Sequence, residues 1–369
     1  MSERTIMIMA GGTGGHVFPA LSVAEELTKR GWNIVWLGTR TGLEANLVAN
    51  HGYTIEWIYF SGLRGKGMLK VVLLPIAILI AFAQSLRALL RCRPNVVLGM
   101  GGYAAFPGAM MAALINRPLV IHEQNSVAGL TNRVAAVVAD RVLSGFPGAF
   151  EVESANPLAA VLPCPKQVEW LGNPVRADIA ALAPPEQRYA MRYGNLRLLV
   201  IGGSQGAQAL NDAVPKALAL IMESDRPAVV HQAGARHLEA LKQNYAAAGV
   251  AGELVAFIDD MAARYAWCDL LVCRAGALTV AEIMAAGVAS ILVPFPAAVD
   301  DHQTGNARFL ADAGAAVLLA QAELAPERLA QSIRNNTRAV LQAMAEKARA
   351  LAKPDATIRV ADVCVECAA

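Results

Sequence analysis

Residues 5–21, TIMIMAGGTGGHVFPAL, constrain the fold more than any other stretch of the chain. Thr5 to Met9 form a short apolar run, the pattern of a strand covered on both faces in a parallel sheet. Gly11, Gly12, Gly14 and Gly15 follow within five residues, and Pro19 is expected to open a helix through Ala20, Leu21, Val23, Ala24 and Leu27. Strand, glycine turn and helix start together aim bare backbone N–H groups and a positive dipole end at an anion or a sugar hydroxyl. The spacing is not that of the dinucleotide fingerprint, and the acidic residue such a site needs about 20 residues on is displaced to Glu44 or missing. His16 closes the turn. An imidazole there can take a proton from a hydroxyl or pack at a helix start, and spacing alone supports the two equally.

Further strand-like runs at 33–37, 54–59, 95–98, 119–122 and 141–143 alternate with helical stretches, and polar groups gather where the strands end. The plan then repeats: residues 196–201 (LRLLVI) run into Gly202-Gly203-Ser204-Gln205-Gly206-Ala207, with later strands expected at 228–231, 253–258, 269–273, 290–293 and 315–319. Such alternation specifies parallel sheets covered by helices. A chain of 369 residues has room for two such domains. The expectation is an α/β protein of two Rossmann-like domains facing a cleft. Residues 1–170 would form the first domain, 171–176 a connector, 177–345 the second domain, and 346–369 a C-terminal helix and tail.

A mean hydropathy of +0.39 calls for a membrane contact or unusually buried sheets. The net charge of +2 is unevenly spread: residues 1–150 hold 13 Lys and Arg against 7 Asp and Glu. Between Glu56 and Glu123 there is no acidic residue, while Arg64, Lys66, Lys70, Arg87, Arg91, Arg93 and Arg117 lie there. Inside that window residues 71–86, VVLLPIAILIAFAQSL, carry no charge. The run is short for a spanning helix, so it reads either as a helix dipping into an anionic bilayer surface or as a buried core helix. Nothing in the charge pattern calls for nucleic acid. Six scattered cysteines without a leader segment fit a reducing cytoplasm, and Cys364 and Cys367 read as incidental thiols rather than a metal half-site.

In the second half, residues 274–282 (RAGALTVAE) again pass from strand to small-residue loop to helix start. The stretch offers N–H groups to a diphosphate, with Glu282 placed to accept from vicinal ribose hydroxyls. Thr279 and Glu282 equally fit a capping box. No Asp-x-Asp occurs, and Asp259-Asp260 and Asp300-Asp301 read as solvated turns, so no metal site is expected. Arg176, Ser204 and the 274–282 helix start would then stabilise a leaving diphosphate.

AGGTGGHVFPAL, GMGGYAAFPG, HEQN, GNPVR, GGSQGA, FIDDM, RAGALTVAE and VPFPAAVDDHQTGNA, in that order over residues 10–307, resemble the MurG family of peptidoglycan glycosyltransferases. The resemblance implies a GT-B fold and transfer of N-acetylglucosamine from UDP-N-acetylglucosamine to the C4 hydroxyl of lipid I, undecaprenyl-diphosphate-N-acetylmuramyl-pentapeptide. The product would be lipid II, formed with inversion and without a cofactor. It also implies roles for single residues. Thr13, Gly14 and Gly15 would approach donor sugar and acceptor, His16 would be the general base, and Tyr103 would receive the acceptor diphosphate. Asn125 would contact the donor sugar and aid the acceptor. Arg176 and Ser204 match diphosphate contacts, and Ile258 a backbone contact to uracil. Ala277, Leu278, Thr279, Val280, Ala281 and Glu282 match the loop over phosphates and ribose, and Gln303 a contact to sugar hydroxyls. His302 departs from members with glutamine there. The implied setting is the cytoplasmic face of the inner membrane, held peripherally through residues 64–93, with lipid I and other cell-wall and division proteins as partners. A GT-B transferase with a different acceptor, a UDP-N-acetylglucosamine epimerase and a non-enzymatic nucleotide-binding module are the competing readings.

Overall fold

A computed structural model describes residues 4–60, 74–152, 156–203 and 206–369. The chain forms two compact units, Met1–Arg176 with Asp355–Ala369, and Ala177–Pro354. Each is built on one all-parallel sheet.

In the first unit the strands are β1 (Thr5–Met9), β2 (Asn33–Gly38), β3 (Thr54–Trp57), β4 (Val96–Gly99), β5 (Leu119–Glu123), β6 (Arg141–Ser144) and β7 (Glu169–Trp170). They lie in the order β3-β2-β1-β4-β5-β6-β7. Ile6, Met7, Ile8 and Met9 pair with Ile34, Val35, Trp36 and Leu37 on one side and with Val96, Val97, Leu98 and Gly99 on the other. All four are fully buried, because helices cover both faces and every side chain of a central strand is enclosed. Strand order reverses between β1 and β4. Open α/β sheets receive ligands at such a switch point, beyond the carboxyl ends of the strands.

The second unit repeats the design with β8 (Arg197–Ile201), β9 (Ala228–Gln232), β10 (Glu253–Val255), β11 (Leu270–Cys273), β12 (Ser290–Leu292) and β13 (Val317–Leu318), ordered β10-β9-β8-β11-β12-β13. Here the order reverses between β8 and β11. In both units the glycine-rich turns therefore fall at the switch points. The last helix, Ala356–Cys367, belongs to the first unit, where it packs on the first helix, Gly14–Lys29, and against β4 and β5. Arg30 binds Asp362 at 2.6 Å, and the Thr357 hydroxyl donates to the Val175 carbonyl.

The first helix starts at Gly14, five residues before Pro19, which lies inside it. Proline removes only its own N–H, and the residue four before it is Gly15, whose small size eases the ring's approach.

The apolar segment gives the helix Leu74–Cys92, long and apolar enough to cross a membrane by length and composition. Ala81, Ser85, Ala88 and Leu89 are buried, whereas Ile76, Leu79 and Ile80 are 57%, 67% and 46% exposed. The helix is thus neither a core helix nor free of the core: one face packs and one is open. Phe82 belongs to the packed side, with its ring 5.6 Å from that of Phe106. Arg91 is paired with Glu56. Arg64, Lys66 and Lys70 lie outside the described residues.

Candidate active site

Two glycine turns meet at the first switch point. The loop after β1 runs Ala10–Thr13, and Gly12 is left-handed (φ +90°). The loop after β4 places Gly102 at φ +81°, where a Cβ would lie 2.2 Å from the Gly11 carbonyl oxygen. Only glycine permits that approach. The Tyr103 ring lies against Gly12, 3.3 Å from where a Cβ would stand, and makes an edge contact with Phe60. Glu44 is fully buried and fixes the first loop: its carboxylate accepts from the Gly12 N–H at 3.1 Å, the Thr39 N–H at 3.1 Å and the Thr39 hydroxyl at 2.8 Å. With no exposed surface and three donors from the turn already on its carboxylate, Glu44 anchors the turn.

Thr13 caps the first helix through its backbone, its carbonyl accepting from the N–H groups of His16 and Val17. Gly14 and Gly15 follow as its first two residues, where N–H groups have no partner within the helix. The half-buried His16 ring approaches Gln124, with Nδ1 and Oε1 2.7 Å apart. Behind it β5 ends in a network. Buried Glu123 accepts from Asn125 N, Asn125 Nδ2, Gly129 N and Asn132 Nδ2 at 2.8–3.1 Å. Fully buried His122 binds the Gly172 carbonyl through Nε2 at 2.9 Å, and burial pushes its pKa down to about 4. Asn173 donates to the Gln124 carbonyl, so the segment ending at half-buried Arg176 packs along the strand ends of the first unit.

At the second switch point the helix Ala277–Ala286 begins directly after β11. Gly276 is its cap, in extended conformation and without a side-chain bond. Thr279 and Glu282 therefore do not form a capping box, because the helix starts too early for Thr279 to be the cap. Ala277, Val280 and Ala281 have buried side chains, so the first turn presents backbone N–H groups. Asn306 holds the loop by donating to the Ala275 carbonyl at 3.1 Å. Glu282 is buried and accepts from the Tyr265 hydroxyl at 3.0 Å. Arg274 donates to the Val293 and Pro294 carbonyls and to Gln321, and burial lowers its pKa. Gln232 ties Gly203 after β8 to Ala256 after β10, two residues before Ile258. Gln303 Oε1 accepts from the Phe295 N–H, leaving its amide N–H groups as the donors it has to offer. Ser204 lies outside the described residues.

The first switch point thus gathers Thr13, Gly14, Gly15, His16, Tyr103 and Asn125, and the strand ends of the second unit gather Ile258, residues 277–282 and Gln303. Asn125 and Arg176 sit in the first unit, with the residues expected to meet the acceptor. Asp260 caps the helix Met261–Trp267, and Asp300 and Asp301 adopt left-handed turns (φ +52° and +50°). Among the described residues no group of three or more His, Cys, Asp or Glu side chains is arranged to hold a metal. Gln124 and Gln232 are structural anchors that motif spacing did not single out, and Glu44 is an anchor that spacing raised only in another role. Their partners lie 29 to 108 residues away in sequence in the bonds that matter most here, and the signal was only a buried polar residue type beside a glycine turn.

Two parallel doubly wound units, each with a glycine turn and a helix start at its switch point, are the architecture of the GT-B fold, which glycosyltransferases share with other sugar-nucleotide enzymes. The chain belongs to glycosyltransferase family 28, matching its N-terminal domain over residues 6–144 and its C-terminal domain over residues 197–360. It is 60% identical over 366 residues, 99% of each chain, to the UDP-N-acetylglucosamine--N-acetylmuramyl-(pentapeptide) pyrophosphoryl-undecaprenol N-acetylglucosamine transferase of Dechloromonas aromatica. Its identity to the transferase of the same name in Aromatoleum aromaticum is 62%, over 99% of this chain and 98% of that one. The crystal structure of Acinetobacter baumannii MurG superposes with a TM-score of 0.83 at 39% identity, covering 98% of this chain and 99% of that chain.

Proposed function

We propose that the chain transfers N-acetylglucosamine from UDP-N-acetylglucosamine to the C4 hydroxyl of lipid I, giving lipid II with inversion at the anomeric carbon. One observation carries this reading: transferases named for that reaction align with the chain at about 60% identity over essentially its full length.

The two switch points suit two substrates. In the first unit, His16 takes the proton of the acceptor hydroxyl as that oxygen attacks the anomeric carbon. The bond from that carbon to the diphosphate breaks, and UDP leaves with the electron pair. The N–H groups at the start of the helix Ala277–Ala286, together with Arg176 and Ser204, meet its charge. Glu282 accepts from the ribose hydroxyls, Ile258 offers its backbone to uracil, and Gln303 donates to the sugar. Thr13, Gly14 and Gly15 line the approach to the acceptor, Tyr103 receives its diphosphate, and Asn125 orients the transferred sugar. The reaction as written needs no cofactor.

Lipid I resides in the membrane, and the open face of the helix Leu74–Cys92 supports a peripheral seat on the anionic cytoplasmic leaflet. Release of UDP from UDP-N-acetylglucosamine, measured with and without a lipid I analogue, tests the reading. Acceptor-dependent release with a β-1,4-linked disaccharide product supports it. Hydrolysis or epimerisation that ignores the acceptor overturns it.

A further inference from the structure

We infer that Gln124 is a positioning residue that locks His16 in the tautomer with Nδ1 protonated and Nε2 carrying the lone pair. The inference rests on the reading of His16 as the base and assigns the atom that does the work.

The Gly172 backbone carbonyl can only accept a hydrogen bond. Gly172 O lies 2.9 Å from His122 Nε2, so that nitrogen carries the hydrogen, and the neutral ring leaves Nδ1 as an acceptor. Burial keeps His122 neutral, its pKa being pushed down to about 4. Gln124 Nε2 lies 3.1 Å from that Nδ1 and 2.9 Å from the His122 carbonyl oxygen. Both of these groups accept, so the amide nitrogen must be the atom facing them. The amide cannot be flipped without setting oxygen against two acceptors. Its oxygen therefore faces His16 Nδ1 at 2.7 Å, and an amide oxygen only accepts. His16 Nδ1 must carry the hydrogen, and Nε2 is left with a lone pair.

Free neutral histidine prefers the opposite form, with Nε2 protonated, which would leave Nε2 no lone pair to take a proton. Gly101, in the second glycine turn, packs on the same edge of the ring: a Cβ there would lie 3.1 Å from His16 Cε1 and Nδ1. The Glu123 carboxylate next along the chain turns away toward Asn125, Gly129 and Asn132. Orientation of His16 thus falls to a neutral amide. When Nε2 takes the acceptor's proton, Nδ1–H keeps its bond to Gln124, and the proton passes to solvent after UDP leaves.

The test is 15N NMR of the full chain with 15N-labelled histidine at pH 8, the His16 and His122 signals being assigned from the His16→Ala and His122→Gln variants. The expected result is an Nδ1–H tautomer at His16 and an Nε2–H tautomer at His122. In Gln124→Leu, His16 should revert toward Nε2–H, and kcat should fall at least about tenfold with the KM for UDP-N-acetylglucosamine unchanged. An Nε2–H tautomer at His16 in the unaltered protein overturns the inference, and this readout needs no variant of Gln124 to fold. Full activity in Gln124→Leu also overturns it. Full activity in His16→Ala would instead overturn the base reading, whatever the tautomer, so the two failures are distinguishable.

Discussion

Glu44 shows how much of the first glycine turn depends on one side chain. Its buried carboxylate accepts three hydrogen bonds from Gly12 and Thr39, and among the described residues no cation pairs with it. Glu44→Ala would leave those donors unsatisfied in a closed space, at a cost of roughly 3 kcal/mol. The urea midpoint should drop accordingly, and turnover with lipid acceptor should fall further than stability alone explains, since the freed loop carries Thr13 and the start of the helix bearing His16. Sequence spacing raised Glu44 only as a displaced ribose ligand. Its partners are Thr39, five residues away, and Gly12, 32 residues away, and periodicity says nothing of a pair as distant as the second. Gln124 was hidden for the same reason, its ring partner being 108 residues off. Turn residues, by contrast, announce themselves: His16 and the four glycines were visible because strand, glycine turn and helix start are contiguous in the chain.

At the scale of the element, the strands were the most readable part, since a short apolar run enclosed by helices admits few other folds. β7 is only two residues, Glu169–Trp170, and has no such run to betray it. Helix starts were read less well. Pro19 drew the expected start five residues late, and Thr279 suggested a cap that Gly276 supplies through its backbone. Gly102→Ala tests the contact between the two glycine turns. A left-handed backbone and a clash with the Gly11 carbonyl should together cost more than about 2 kcal/mol or displace the turn, and acceptor turnover should be lost while UDP binding is kept. The helix Leu74–Cys92 yields a second prediction. Replacing Ile76, Leu79 and Ile80 together by serine should reduce sedimentation with anionic vesicles and leave the thermal midpoint nearly unchanged, because these side chains are exposed. Unchanged sedimentation would remove this face from membrane binding. Phe82 is unsuitable for that experiment, since its ring packs on Phe106.

At the scale of the whole molecule, each unit carries one deeply buried histidine. His122 in the first and His231 in the second are pushed down by burial to about 4 and about 3. An ordinary histidine titrates near 6.5, so below that pH the unfolded chain binds protons that the folded chain refuses. Stability is therefore full above about pH 6.5 and declines as pH falls toward 4, by on the order of 3 kcal/mol for each unit. Urea titrations at pH 7.5 and 5 should show the loss, and His231→Gln should reduce it. That substitution keeps polar groups facing Tyr245 and Asn211, which bind the two ring nitrogens. The return of the last helix to the first unit has no mark in the sequence, because a helix's apolar face does not say which sheet it will cover.

Under the proposed function, proton transfer belongs to the first unit and nucleotide binding to the second. Calorimetric titration of UDP into the unaltered chain, His16→Ala and Glu282→Ala, alongside kcat with a lipid I analogue, tests it most directly. His16→Ala should lose about a hundredfold or more in kcat with an unchanged Kd for UDP, and Glu282→Ala should raise that Kd about tenfold or more. Equal loss of UDP affinity in both variants would contradict it.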